Sequence, residues 1–402
     1  MASSVVSFEP LYPEDRMLEP LLERASRLIE LSQKLIPMTE TPMARALIPQ
    51  LRAMNSYYTN KIEGQHTTPA KIEAALNRHY AVDDAERKKQ LFAMAHIEAE
   101  STLEQDWAGL TVSALFEPER ISVLHDRFFA FLPAEDRFTG EGEAILPGEI
   151  RQSDVTVGRH LAPRPELIEP LLNAWATRYA RIRGREYQLI GIACSHHRLT
   201  WIHPFVDGNG RVARLHSHLA LRAAALTHGL WSPLRGLARS HAEYYARLSA
   251  ADQSRRNDLD GRGNLSQEGL VQFVEFFLDC CIDQAEFMVR MTDFDGITER
   301  TKDLLHYLEA HPWALGSEKS VIKADAAVLP MEFVMRTRAA TRAEFGQMLG
   351  NVSDVNKRRI VRSLQDFGLL DAPTHRGDLT FSLPLRSLRF LFPKLWPEVD
   401  QE

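Results

Sequence analysis

Apolar residues recur at helical spacing over residues 17–35 (Leu18, Leu21, Leu22, Ala25, Leu28, Ile29), and Pro37 and Pro42 break the pattern. The same period predicts helices over about 49–62, 68–80, 83–106, 117–132, 166–183, 186–200, 210–227, 239–252 and 266–291. Gly64 stands where a helix-ending C′ glycine would, and Pro69 where a first-turn proline would. Only residues 144–163 depart from this period. Short β-type runs flank a polar turn there and predict a hairpin over 145–159. Residues 254–264 read as a loop. Beyond Phe294 the pattern changes. A helix over 341–349, a turn over 350–353, a helix over 354–367 and a small hairpin using 369–370 and 379–383 follow the outline of a winged helix. The expected fold class is mainly α.

At 402 residues the chain has room for two or three domains, and 44% hydrophobic with 25% charged residues is the balance of a globular protein. A net charge of −6 excludes a general nucleic-acid or membrane binder. The charge is uneven. Residues 336–394 hold eleven Lys and Arg against five Asp and Glu, a local +6, so the remainder carries −12. No apolar run reaches membrane-span length, and MASSVVSFEP lacks the basic start and apolar core of a signal peptide. Cys194, Cys280 and Cys281 form no disulfide framework and no C-x-x-C pair, so a reducing cytoplasm is the expected location.

The candidate chemistry lies in residues 203–214, H-P-F-V-D-G-N-G-R-V-A-R. The turn Asp207-Gly208-Asn209-Gly210 opens an amphipathic helix. Glycines let backbone N–H groups approach a ligand, and the free amides and dipole of a helix N-terminus attract anions. Arg211 and Arg214, three apart, add positive charge. Asp207 supplies a hard oxygen of the kind Mg²⁺ prefers, and His203 has the pKa range of a general base. A base, a metal ligand and an anion cradle within one turn point to phosphoryl or nucleotidyl transfer.

The segment resembles the signature of the Fic family, H-P-F-x-[D/E]-G-N-G-R-x-x-R, at every specified position, and the likeness extends over roughly residues 51–281. The resemblance implies a Fic/Fido helical core with a β-hairpin flap, acting as a protein adenylyltransferase. His203 would take the proton of a Ser, Thr or Tyr hydroxyl as it attacks the α-phosphorus of ATP. Asp207 would hold Mg²⁺; Gly208, Asn209 and Gly210 would form the anion hole; Arg211 and Arg214 would bind phosphates. Phe205 would anchor the loop. Tyr245, with Tyr244 and Asp252, would line the adenine side. In the flap, Ile150, Arg151, Val155 and Val157 would pair with an extended target segment. His196 and His197 read as core histidines rather than metal ligands.

Residues 59–64, T-N-K-I-E-G, fit a second family pattern, [S/T]-x-x-x-E-[G/N]. Thr59 and Glu63 share a helix face and Gly64 ends the helix. The resemblance implies an inhibitory helix over about 50–64 whose Glu63 pairs with Arg214 in the γ-phosphate position. The expected division is an N-terminal helical region (1–110), a catalytic core (111–293) and a winged-helix-like module (294–402). The basic helix 354–367 fits either DNA or protein docking, and the sequence does not favour DNA. A homodimer is expected from the resemblance. Rival readings are removal of AMP or another nucleotidyl transfer at the same site, and a DNA-binding regulator with a vestigial core.

Overall fold

A computed structural model of the chain describes residues 5–158, 160–315 and 321–398. Its helices are α1 (Glu19–Leu35), α2 (Pro42–Ile62), α3 (Pro69–Leu76), α4 (Asp84–Asp106), α5 (Pro118–Ala130), α6 (Ile168–Ala180), α7 (Arg185–Ile202), α8 (Asn209–Ala223), α9 (Pro233–Arg239), α10 (His241–Ala251), α11 (Gln267–Met291), α12 (Phe294–Ala310), α13 (Ala324–Arg336), α14 (Arg342–Met348), α15 (Asp354–Phe367) and α16 (Leu388–Leu391). Two antiparallel hairpins complete it: β1 (Thr156–Val157) with β2 (His160–Leu161), and β3 (Leu370–Asp371) with β4 (Thr380–Phe381). The fold is mainly α.

The chain forms two compact units. The first takes residues 1–33, 52–67 and 74–286; the second takes 34–51, 68–73 and 287–402. This differs from the three consecutive segments expected above. Most of the N-terminal 110 residues fold with the motif, because α2 and α4 supply side chains that the motif helix needs.

In the first unit, α7 is buried on every side from Leu189 to Leu199, which is how a helix through the middle of a core behaves. Its polar residues must then find partners. Ser195 donates to Ile192 O at 2.8 Å and its carbonyl accepts from Trp175 Nε1 at 3.0 Å. Arg198 donates to Pro10 O at 2.8 Å through Nη2.

The C-terminal half of α2 is equally enclosed, buried throughout from Ala53 to Asn60. Two polar links hold it. Arg52 Nη2 donates to Glu104 Oε2 at 2.5 Å, and Asn55 Nδ2 donates to Glu100 Oε1 at 3.0 Å. His218, on α8, meets Glu104 Oε1 at 3.3 Å, so one buried carboxylate ties α2, α4 and α8 together. Burial pushes the Glu104 carboxyl up, but the hydrogen bond from His218 and the charges of His218 and Arg222 outweigh it and hold it down at about 2. The helix starts earlier than its sequence suggests. Thr41 caps it, its Oγ1 accepting from Ala44 N at 3.1 Å, and Pro42 takes the first turn, leaving Pro49 inside.

The first hairpin is displaced from the expected 145–159. Thr156 pairs with Leu161 and Val157 with His160. Ile145 is buried instead, its N–H bonded to Arg137 O at 2.8 Å. Gly148 donates its N–H to His125 Nδ1 at 2.9 Å. The Pro147-Gly148 turn is therefore pinned to α5 and is not free to form a hairpin.

In the second unit, α14 opens with a capping box between Thr341 and Glu344. Residues 294–336, to which the sequence pattern assigned no element, supply α12 and α13. The turn between α14 and α15 is followed by β3 and β4, with Leu370 opposite Phe381.

Glu104→Gln should cost about 3 kcal/mol of stability near neutral pH, since it leaves buried positive charge unpaired. Because the folded carboxyl titrates at about 2, below its ordinary 4.5, that contribution is complete above about pH 4.5 and is lost as pH falls toward 2. Urea denaturation of both proteins should show the gap at pH 7 and its narrowing in acid.

Candidate active site

The site begins where α7 stops. His203 follows the last helical residue with φ 52 and ψ 61, a left-handed conformation that turns the chain out of the helix. The backbone there is fixed from outside by Arg151, a 2% exposed side chain. Its Nε donates to His203 O at 2.7 Å, Nη1 to Ser153 O at 2.7 Å and Nη2 to Pro163 O at 2.6 Å. Its own N–H donates to Pro204 O at 3.0 Å. Arg151 is thus a buried brace beneath the loop, outside the paired strands of the hairpin in which it was expected. Ile150 and Val155 are part-buried outside the paired strands, and the Val157 side chain lies outside the described residues.

The His203 ring has a defined tautomer. Nδ1 lies 3.2 Å from Thr200 O, and a carbonyl only accepts, so Nδ1 carries the proton and Nε2 is left basic. Burial lowers its pKa to about 4, with the charges of His160 and Arg151 adding to the effect, so the ring is neutral at pH 7.

The loop after His203 closes on itself. Asn209 Oδ1 accepts from Phe205 N at 2.9 Å and its Nδ2 donates to Phe205 O at 2.8 Å. Asn209 therefore shapes the loop. Phe205 is fully buried and stacks on His125 at 3.9 Å between ring centroids. Because His125 Nδ1 accepts from Gly148, its Nε2 donates to Asp207 O at 3.2 Å. Gly208 has φ +81, and a Cβ there would lie 2.5 Å from the Phe129 ring, so both backbone and space demand glycine. Asp207 Oδ1 accepts from Gly208 N at 2.6 Å, while Oδ2 has no hydrogen bond among the described residues. A part-exposed carboxylate with one free oxygen is a fitting ligand for Mg²⁺.

Arg214, one turn into α8, is 1% exposed. Its Nε donates to Thr59 Oγ1 at 2.9 Å and its Nη2 to Glu63 Oε1. Gly64 makes this reach possible. With φ +70 it donates to Lys61 O while Gln65 donates to Asn60 O, the two bonds of a Schellman end that turns α2 at Glu63. Gly210 matters equally, since a Cβ there would sit 2.5 Å from Glu63 Oε1. Burial raises the Glu63 carboxyl, but Arg214 and Arg211 overcome it and hold it below its ordinary value.

Behind Arg214 runs a buried relay. Tyr244 Oη bonds His196 Nε2 at 2.7 Å, His196 Nδ1 donates to Ser217 Oγ at 2.8 Å, and Ser217 donates to Ala213 O at 2.9 Å. His196 is a partnered core residue.

Arg211 is placed differently from Arg214. Its guanidinium lies over Phe92 at 4.8 Å and Phe128 at 5.3 Å, and Nη2 donates to Gln65 Oε1. Nε and Nη1 have no acceptor among the described residues although Arg211 is only 3% exposed. Buried, unpaired donors on a cation at a helix N-terminus are a demand for an anion.

A cleft of about 930 Å³ opens over this arrangement. Glu63, His203, Gly210, Arg214, Tyr245 and Asp252 line it, with His160 and Leu161 of β2 on the far rim. Tyr245 is 45% exposed, its hydroxyl donating to Ile62 O at 3.3 Å. Asp252, also on the cleft, meets the buried His197 Nε2 at 3.2 Å. His125, Gln65 and the bracing role of Arg151 were invisible in sequence. Each acts through a backbone carbonyl or a contact between distant segments, and no local spacing encodes that.

These features define a helical fold around an anion-binding loop with an adjacent neutral base. Residues 115–221 match the Fic/DOC family model. It is similar to a protein named protein adenylyltransferase Fic from Nematostella vectensis, 27% identical over 247 residues, covering 60% of this chain and 51% of that protein. One of the same name from Drosophila grimshawi is 25% identical over 260 residues, 63% of this chain and 47% of that protein. The chain thus spans about half the length of the curated relatives it matches. A crystal structure of a Fic family protein from Desulfovibrio desulfuricans G20 shares the fold, with a TM-score of 0.53 and 15% identity over 94% of this chain and 99% of that one.

The His203 ring should titrate near pH 4 when followed by its Cε1–H resonance, assigned with His203→Asn. A midpoint at 6.5 or above would mean that the ring is freely hydrated.

Proposed function

We propose that the chain transfers AMP from ATP to a hydroxyl side chain of a protein, itself included, and that Glu63 restrains the reaction. The observation that carries this reading is the Glu63 carboxylate seated on Arg214 at the N-terminus of α8, within the cleft that also holds His203. A carboxylate stands where the local charge would accept a phosphate.

The incoming hydroxyl oxygen attacks the α-phosphorus. Its proton passes to Nε2 of His203, the bond from phosphorus to the bridging oxygen breaks, and pyrophosphate leaves. His203 suits this role because it is already neutral and its Nδ1–H is held by Thr200 O, so Nε2 is ready to accept. Such a base contributes about 10²–10⁴-fold. Arg214 holds the γ-phosphate once Glu63 gives way, and Arg211 brings its unpaired donors to the phosphates. The amides of Gly208 and Gly210 face the anion. Asp207 would hold Mg²⁺, which supplies charge neutralisation at the phosphates when bound. Tyr245 packs on the base, and Asp252 accepts from an exocyclic amine, a preference for adenine. The rim at His160–Leu161 receives the extended target segment.

While Glu63 occupies Arg214, the triphosphate cannot settle fully, and the α-phosphorus lies off the line of attack. Misplacement of this kind costs about 10²-fold.

The test is incorporation of label from α-labelled ATP into the protein itself and into a cell lysate. Glu63→Gly should raise incorporation by one to two orders of magnitude, and adding His203→Ala should silence the gain. Arg214→Ala should not imitate the release, since it removes the brake's partner and the phosphate ligand together. If Glu63→Gly matches wild type while His203→Ala still abolishes labelling, the transferase reading stands and the brake falls.

Asp207→Ala should lose Mg²⁺-dependent labelling yet keep the wild-type melting temperature, because Asp207 lies on a part-exposed loop. Wild-type rates in that variant would overturn its metal role.

A further inference from the structure

Within the second unit, residues 336–394 hold an excess of positive charge, and the structure sorts which of it is already used. Arg336 donates to Phe294 O and Thr298, Arg338 pairs with Glu344, Arg342 bonds Gln365, Arg386 donates to Phe367 O and Arg389 to the Tyr307 hydroxyl. These five are committed within the unit. Arg358 and Arg359 have no partner among the described residues, and Arg362 is 85% exposed with Asp366 only at 3.9 Å. The unspent charge is therefore concentrated on α15.

It is also concentrated on one face. Ile360, Val361, Leu364 and Phe367 are buried and hold α15 to its unit. Val355, Arg358, Arg359 and Arg362 follow i, i+3, i+4, i+7 spacing and form the opposite, exposed stripe. Val355 is 57% exposed, and Asn356 beside it is exposed as well. Of the two acidic residues on the helix, Asp354 sits in the first turn and Asp366 in the last. Both lie at the ends of the arginine stripe. α15 follows a short turn after α14 and precedes the β3–β4 hairpin, whose tip carries exposed Arg376.

We infer that α15 presents its Val355–Arg362 face to the major groove of double-stranded DNA, making this a nucleic-acid-binding surface separate from the nucleotide cleft. The chemistry selects this partner. Fourteen residues make a rod about 21 Å long, and a B-form major groove about 12 Å wide admits a helix. Guanidinium groups pair with phosphates and with the N7 and O6 edge of guanine; an Asn side chain matches adenine; an exposed valine meets a thymine methyl. An A-form RNA duplex closes its major groove to such a helix. The molecule's net charge of −6 does not oppose this, because at physiological salt charges act over about 8 Å.

The experiment is fluorescence anisotropy of a labelled mixed-sequence DNA duplex of about 24 base pairs, titrated with the full chain. Three phosphate contacts give a log–log salt slope near −2.7, about a forty-fold weakening between 50 and 200 mM salt. The triple variant Arg358→Glu, Arg359→Glu, Arg362→Glu should lose at least ten-fold in affinity at 50 mM salt while melting at the wild-type temperature. The single change Arg359→Gln should reduce the slope by about one if that side chain meets a phosphate. Charge reversal at Arg255 and Arg256, exposed residues of the other unit, should change nothing. Absence of binding at 50 mM salt, equal binding by the triple variant, or equal affinity for an RNA duplex or a polyglutamate peptide would each overturn the proposal. None of these readouts depends on AMP transfer.

Discussion

Arg214 is 1% exposed at the start of α8, and the elements around it are arranged to give its buried charge partners, an anion among them. Glu63 is that anion here, Thr59 completes the hydrogen bonds, and Tyr244 carries the network into the core through His196 and Ser217. The pair sits at the N-terminus of α8, where the helix dipole already favours negative charge. A phosphate would satisfy the same donors. The interaction that stabilises the resting protein and the one that would bind nucleotide compete for one set of atoms.

The end of α2 that carries Glu63 is built accordingly. Residues 53–60 of α2 are buried on all sides, and Arg52 and Asn55 fasten the helix to Glu104 and Glu100. Withdrawing the helix would break a buried ionic network, a cost of several kcal/mol. Turning the Glu63 side chain leaves that network intact, and a phosphate at Arg214 would replace the ion pair it breaks. Glu63 lies at the very end of the helix, keeps 26% of its side chain exposed, and borders the cleft. The restraint proposed for Glu63 would then be released by a rotamer change while its helix stays in place.

Around His203 the design is one of fixed backbone. Arg151 binds the carbonyls of three residues, and His125 holds the Asp207 carbonyl while stacking on Phe205. Asn209 closes the turn with two bonds to Phe205. Few of these groups would touch a substrate. They hold the imidazole and the helix N-terminus in register, which positioned catalysis requires to within fractions of an ångström.

The motif 203–214, the helix end at 59–64 and most helices were legible in the sequence because each is encoded over a few consecutive residues. Helical period, a glycine with positive φ and an N-terminal anion loop are local properties. The flap was mislocated because Pro147-Gly148, a turn signal in isolation, is captured by His125 from α5. Arg151 was placed in the flap because nothing local reveals that a side chain will be buried against three carbonyls. Arg211 and Arg214 also take different surroundings in the fold. Three residues apart on one helix, they point about 60° apart, and Phe92 and Phe128 receive one while Glu63 receives the other. Sequence thus determined which chemical groups the chain possesses and the short elements that carry them. Tertiary structure alone decided which charges are buried, which are matched and which are left over, because burial and pairing depend on segments that meet only when the chain is folded.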